Sequence, residues 1–205
     1  AEDVGFDRLG ISDVVFWHDC FMLLGLVAQS TSRIELGPMV TNPYSRHPAV
    51  MAGIMAALQD ASQGRMFLGI GVGAGLEQVG MNYPRPVRTL REALTAIKGL
   101  LAGEEVTLHG ETITVDHARM VGPVQSVPIS IGSRSRQVMT LAGEMADIAL
   151  VGGRSLNQKI ADDYKSWVAD GARKVGRDPN AIEIAPRLTL CVSSDGALAR
   201  QSMKR

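Results

Sequence analysis

The segment Ile131-Gly132-Ser133-Arg134-Ser135-Arg136 places a glycine, two hydroxyls and two guanidiniums between a strand-like run and a helical pattern. A helix beginning there offers free N–H groups and the positive end of its dipole, and Gly132 lets a ligand approach the backbone closely. The chemistry is anion binding, with Ser133 and Ser135 as donors and Arg134 or Arg136 as added charge. A plain helix cap would also use serine, but two arginines crowded into the same turn favour a phosphate. Gly71-Val72-Gly73-Ala74-Gly75 follows another apolar run. It lacks the Gly-x-Gly-x-x-Gly spacing and the acidic partner of a dinucleotide turn. Its glycines suit a floor on which a flat ring or its side chain meets the backbone.

Ser12-Asp13 follows the first strand-like run, where Asp commonly caps a turn. The loop beyond it carries Trp17, which could wall a ring pocket, and His18, which could touch substrate or act as an acid. Packing or a surface position explains both equally well. His47 precedes Pro48 and shapes a helix start, whereas His109 and His117 read as surface residues. No nucleophile–His–acid arrangement follows from spacing alone.

These positions need strands and helices to hold them. Strands are expected at Arg8–Ser12, from Arg33 towards Val40, at Arg65–Gly71, Pro128–Ile131, Ala146–Val151 and Ile182–Val192. Between them, an apolar helix covers Phe21–Ala28. A second starts at Pro48 with Val50, Ile54, Ala57, Leu58 and Ala61 at helical spacing and Gly64 at its end. Val87, Leu90, Leu94, Ile97 and Leu101 mark a third, closed by Gly103. Val138, Leu141 and Ala142 lie on a fourth, and Ile160, Tyr164, Trp167, Val168 and Val175 on a fifth. Val106–Leu108 and Thr112–Val115 flank His109-Gly110-Glu111 as a hairpin, an excursion at about 104–126. Strand–helix alternation implies parallel strands, about six of them where a closed (β/α)8 TIM barrel needs eight. The fold class is therefore α/β, one partial barrel domain over 1–205. In such barrels the site lies just beyond the strands' carboxyl ends. The abrupt first and last segments suggest that material lies outside both ends.

Composition narrows the function. The 205 residues include 21 basic and 21 acidic side chains and 22 glycines. Charge is balanced, so no nucleic-acid footprint or membrane held by charge is expected. No apolar run is long enough to span a membrane. Cys20 and Cys191 stand far apart, outside any metal-ligand spacing; both read as buried small apolar residues in a reducing cytoplasm.

Ile34-Glu35-Leu36-Gly37-Pro38-Met39-Val40-Thr41-Asn42-Pro43-Tyr44-Ser45-Arg46-His47-Pro48, Gly64 to Gly73, Val127 to Ser133 and Leu141 to Asp147 together resemble the luciferase-like monooxygenase superfamily. The likeness runs nearly the full chain. It is closest to the deazaflavin-dependent branch, similar to the methylenetetrahydromethanopterin reductases. The resemblance implies an oxidoreductase that transfers a hydride between coenzyme F-420 and a small organic substrate. FMN with monooxygenase chemistry is the alternative cofactor, and a non-catalytic structural barrel is the third reading. It implies that Asp13 lies beside the deazaflavin ring. It also implies that a bulge with a cis peptide, around Val40, Thr41 and Asn42, backs the ring. Pro43 makes Asn42–Pro43 the cheaper place for that bond, with the preceding bond as the alternative. Gly71, Val72 and Gly73 would lie under the ring or its chain, and Gly132, Ser133 and Arg134 at the phosphate. Against a family member, the first strand and the last strand or two are missing. Ala74 stands where those reductases tend to carry an acidic residue, so the pterin substrate is not carried over. Family members are commonly homodimers, and the same is expected here.

Overall fold

A computed structural model describes residues 1–152 and 157–202. A single 3-10 turn, Glu2–Val4, leads into β1 (Arg8–Ile11), α1 (Cys20–Gln29), β2 (Glu35–Pro38) and α2 (Pro48–Ala61). Then come β3 (Leu68–Ile70), α3 (Pro86–Leu101) and the antiparallel hairpin of β4 (Val106–His109) and β5 (Thr114–Ala118). The chain continues with β6 (Ile129–Ser133), α4 (Arg136–Met145), β7 (Ile148–Gly152), α5 (Gln158–Lys174), β8 (Glu183–Arg187) and α6 (Gly196–Ser202).

β1 pairs with β2, and β3, β6, β7 and β8 pair in that order, all in parallel. Parallel bridges at Leu36–Met66 and Thr41–Ile70 join the two groups. The result is an arc of a (β/α) barrel in the order β1-β2-β3-β6-β7-β8. At its amino-terminal rim Arg8 ion-pairs with Glu35 on β2 and, at 2.5 Å, with Glu183 on β8. One side chain thus ties the first strand of the arc to its neighbour and to the last strand.

The helices form where capping and burial agree. His47 caps α2 by accepting the Ala49 N–H, and Pro48 occupies the first turn. Gly64 takes the left-handed conformation expected of it, at φ 87°. The buried stripe of α2 is nevertheless Met51, Ala52, Met55, Leu58 and Gln59, not the Val50, Ile54, Ala57 and Ala61 set. Nearly every position of this helix is apolar, so its sequence does not fix which side faces the sheet. On α3 the expected Leu90, Leu94, Ile97 and Leu101 are buried, because charged residues mark the other face.

The hairpin forms, with its second strand at Thr114–Ala118 where Thr112–Val115 was expected, and α3 holds its tip. The buried Glu92 carboxylate accepts the N–H groups of Glu111, Thr112 and Ile113 and the Thr112 hydroxyl, at 2.7–3.1 Å. Two other expectations are corrected. The last strand stops at Arg187, and Leu188, Leu190 and Val192 are exposed. Cys191 is exposed as well, since it lies beyond that strand's end, whereas Cys20 is fully buried. Among the described residues, no helix is long and apolar enough to cross a membrane.

Candidate active site

Beyond the carboxyl ends of β1 and β2 lies a cavity of about 280 Å³. Its polar wall is Asp13, Asp19, Asn42, Ser45 and Arg46, and its apolar wall includes Phe16, Trp17 and Leu76. Asp13 is fixed from one side. Its Oδ2 accepts the Thr41 hydroxyl at 2.6 Å and an Arg46 N–H at 2.8 Å. Among the described residues, its Oδ1 takes no hydrogen bond. Thr41 is itself locked, donating its N–H to the Gly69 carbonyl and accepting the Gly71 N–H. Asn42 shapes the turn that follows: its Oδ1 accepts the N–H groups of Tyr44 and Ser45, both at 2.9 Å. The Ser45 hydroxyl is the one buried side-chain polar atom without a partner among the described residues. A buried hydroxyl normally has a partner, and the described residues supply none here.

Beside the cavity, the expected cis bond falls at Met39–Val40, and neither at Asn42–Pro43 nor at the bond just before it. Pro43 sits instead in the turn that Asn42 closes. Glycines from three strands make room for this bulge. A Cβ on Gly132 would stand 2.9 Å from Val40, and one on Gly71 would stand 3.1 Å from Val40 and 2.9 Å from the Gly132 carbonyl. Gly10 on β1 takes the Met39 side chain in the same way. Gly71 and Gly132 therefore leave room for the Val40 side chain. Gly73, at φ 85°, is covered by Tyr83 and Asn42, and Val72 beside it is half-buried. Tyr83 is pinned there, accepting the Leu76 N–H and donating to the Glu77 carboxylate.

The segment expected to bind an anion lies two strands along the arc from Thr41. Ser135 precedes α4 without a side-chain cap of its own, and the Ser133 hydroxyl accepts the Ser135 N–H at 3.0 Å. Arg134 is exposed and its stem lies over Gly152. The structure thus gathers Asp13, Thr41, Asn42 and the exposed His18 around the cavity. It stacks Val40 on Gly71 and Gly132, and leaves Ser133 and Arg134 outside the cavity.

Sequence reasoning passed over Arg46. Besides Asp13 it donates to Asp19 at 2.7 Å, and its guanidinium lies 4.6 Å from the centre of the Phe21 ring. Two aspartates flanking a short loop, with an arginine ahead of the next helix, were its only sequence signal. The Met22 N–H, and after it the Arg46 charge, hold the Asp19 carboxyl below its ordinary range. Cys20, next along the chain, goes the other way. Burial first, then the charges of Asp13 and Asp19, push its thiol up to about 12. Cys20 is a protonated core residue and no nucleophile.

Parallel strand–helix units with a lined cavity at the carboxyl ends of the strands define a barrel of the enzyme-bearing kind. The chain belongs to the luciferase-like monooxygenase family, whose family model matches residues 1–205. It is 35% identical over 204 residues to the 5,10-methylenetetrahydromethanopterin reductase of Methanolobus tindarius, covering 98% of this chain and 62% of that enzyme. It is 31% identical to an F-420-dependent glucose-6-phosphate dehydrogenase of Nakamurella multipartita, across 100% of this chain and 65% of that one. The solved coenzyme F-420-dependent tetrahydromethanopterin reductase of Methanopyrus kandleri superposes with a TM-score of 0.90 at 27% identity, covering 99% of this chain and 63% of that one. The chain therefore spans a little over three fifths of the length of these relatives.

Proposed function

We propose that this chain is the cofactor-binding part of an oxidoreductase that uses coenzyme F-420 to move a hydride to or from a small organic substrate. The observation that carries the reading is the cavity in which Asp13 is clamped through one carboxylate oxygen, beside a buried Ser45 hydroxyl with no protein partner. The names of the relatives support the choice of a deazaflavin over FMN.

When bound, the deazaflavin supplies a hydride acceptor and donor. The protein's part is placement. Asp13 Oδ1 offers an acceptor to the polar edge of the ring. Val40 and Leu76 give it a dry wall, and Asn42 stands on the polar side. The Gly132-Ser133-Arg134 turn, with the amino end of α4, takes the phosphate. Gly71, Val72 and Gly73 act from beneath, by seating Val40 and Asn42. His18, at the cavity rim, is the group placed to exchange a proton with the substrate's oxygen or nitrogen as the hydride moves.

The same reading takes residues 1–205 as one partial barrel domain, because a single apolar cluster runs from α1 to Ile182. A homodimer fits the exposed Met22 and Leu26, one turn apart on α1. A reducing cytoplasm suits the unpaired Cys20 and Cys191. The test is spectrophotometric. The full protein should bleach oxidised coenzyme F-420 with a member of a panel of small alcohols, and His18→Ala should lower the rate by about a hundredfold. Turnover of FMN with oxygen, and none of the deazaflavin, would move the assignment to a monooxygenase.

A further inference from the structure

The Asp13–Asp19 loop is held in an unusual way. The apolar side chains at its middle contribute little to its placement: Phe16 is 74% exposed and Trp17 68%. Phe16 also stands at φ 69°, a left-handed conformation that a bulky residue avoids unless something holds it there. Within the loop, one turn-type bond, from the Trp17 N–H to the Val14 carbonyl, is made. Both ends, however, meet the same side chain. One nitrogen of Arg46 donates to Asp13 at 2.8 Å and another to Asp19 at 2.7 Å.

Arg46 is fixed well enough to act as a clasp. The Asn42 turn sets its backbone from one side and the His47 cap of α2 from the other. The Phe21 ring supports the face of its guanidinium. A rigid, planar fork reaches two carboxylates at once, whereas a lysine presents a single point charge.

We propose that Arg46 is a positioning residue. By clasping both ends of the Asp13–Asp19 loop, it sets the face of Asp13 offered to the cofactor together with the placement of Trp17 and His18 over the cavity. The half of this that concerns the cofactor rests on the F-420 reading above; the clasp itself does not. Cofactor side and substrate side are thereby built as one unit, and Arg46 is spent on it rather than kept for an anionic ligand.

The experiment combines hydrogen exchange over residues 13–19 in the full protein with a fluorescence titration by coenzyme F-420. Arg46→Met should speed exchange of the hydrogen-bonded Trp17 N–H by tenfold or more while exchange in the middle of α2 stays as in the wild type. It should also weaken F-420 binding about tenfold. Arg46→Lys should recover part of both. Asp19→Asn keeps the cap on the Met22 N–H, because asparagine caps as well as aspartate, but it releases the far end of the loop. It should speed loop exchange. Wild-type loop exchange in a folded Arg46→Met protein overturns the clasp. If Arg46→Met does not fold, Asp19→Asn decides: faster loop exchange supports the clasp, and unchanged exchange overturns it. A wild-type protein that fails to bind F-420 sinks the cofactor reading alone, and the exchange measurements still judge the clasp.

Discussion

Substituting Gly132 by alanine tests whether the glycines of this barrel serve the Val40 bulge. The new methyl would stand 2.9 Å from Val40 Cγ1 and 3.3 Å from Leu150 Cδ2. Carbon atoms rest about 3.5–4.0 Å apart, so Val40 has to retreat by roughly 0.6–1.1 Å. A β-branched side chain cannot escape by rotation alone. Overpacking of this kind costs about 1–3 kcal/mol. For a chain of this size, each kcal/mol lowers Tm by roughly 2–4 °C. Because Val40 lies next to Thr41, which holds Asp13, deazaflavin affinity should fall along with Tm. Calorimetry and a fluorescence titration read the two effects. Adding Val40→Ala should restore part of the loss in Gly132→Ala, with a coupling of about 0.5 kcal/mol or more. A Gly132→Ala protein with wild-type Tm and affinity, or strictly additive effects in the double variant, would refute the reasoning.

Other perturbations reach separate parts of the account. Glu92→Ala strips the hairpin tip of its acceptor and leaves three backbone N–H groups facing a void, so unfolding free energy should drop by about 3 kcal/mol; a loss below 1 kcal/mol in a denaturant titration would contradict that role. Arg134→Ala should weaken binding of the complete coenzyme about tenfold but leave a deazaflavin lacking the phosphate unaffected, and equal losses for the two ligands would remove the phosphate from this turn. Acid should loosen the fold in a predictable direction. Burial pulls the Glu92 and Glu144 carboxyls up, but the Thr112 hydrogen bonds in one case and Lys174 and Arg91 in the other outweigh it, and both end below their ordinary 4.5. Depressed carboxylates stabilise the fold fully above the unfolded value and lose that contribution as pH falls through the folded one. Stability should therefore decline below about pH 4.5, and Glu144→Gln should flatten the decline; an unchanged slope in that variant would exclude the ion pairs as its cause. Glu2 extends the same behaviour to the segment before β2. The N–H groups of Ile34 and Arg33 bring its carboxyl down to about 2, so that tie should hold through most of the acid range.

The barrel arc was legible because its signals were local and redundant. Alternating apolar runs, Pro48 at a helix start, and Gly64 and Gly103 at helix ends each act within a few residues. Where a helix carries charge on one face, as α3 does, the buried side could be read; where it is apolar throughout, as in α2, it could not. The site was legible by position. Asp13 and Asn42 follow strand ends and line the cavity. What the glycines do was not legible, since Gly71 and Gly132 answer to Val40, more than thirty positions from Gly71 and farther still from Gly132. The cis bond was sought at Pro43, where it is cheapest, but it falls at Met39–Val40. Arg46 escaped for a related reason. Its partners lie on a loop 27 and 33 residues away, and only the fold brings two aspartates to one guanidinium.

The most direct test of the central claim is a competition titration of the full protein with coenzyme F-420 and FMN, followed by cofactor fluorescence in wild type and in Asp13→Asn. The account expects the deazaflavin to bind and FMN to fail to displace it. It also expects Asp13→Asn to weaken deazaflavin binding, because Thr41 and Arg46 hold Asp13 at the cavity proposed to take the ring. Preferential FMN binding, or deazaflavin binding that ignores the Asp13 substitution, would contradict it.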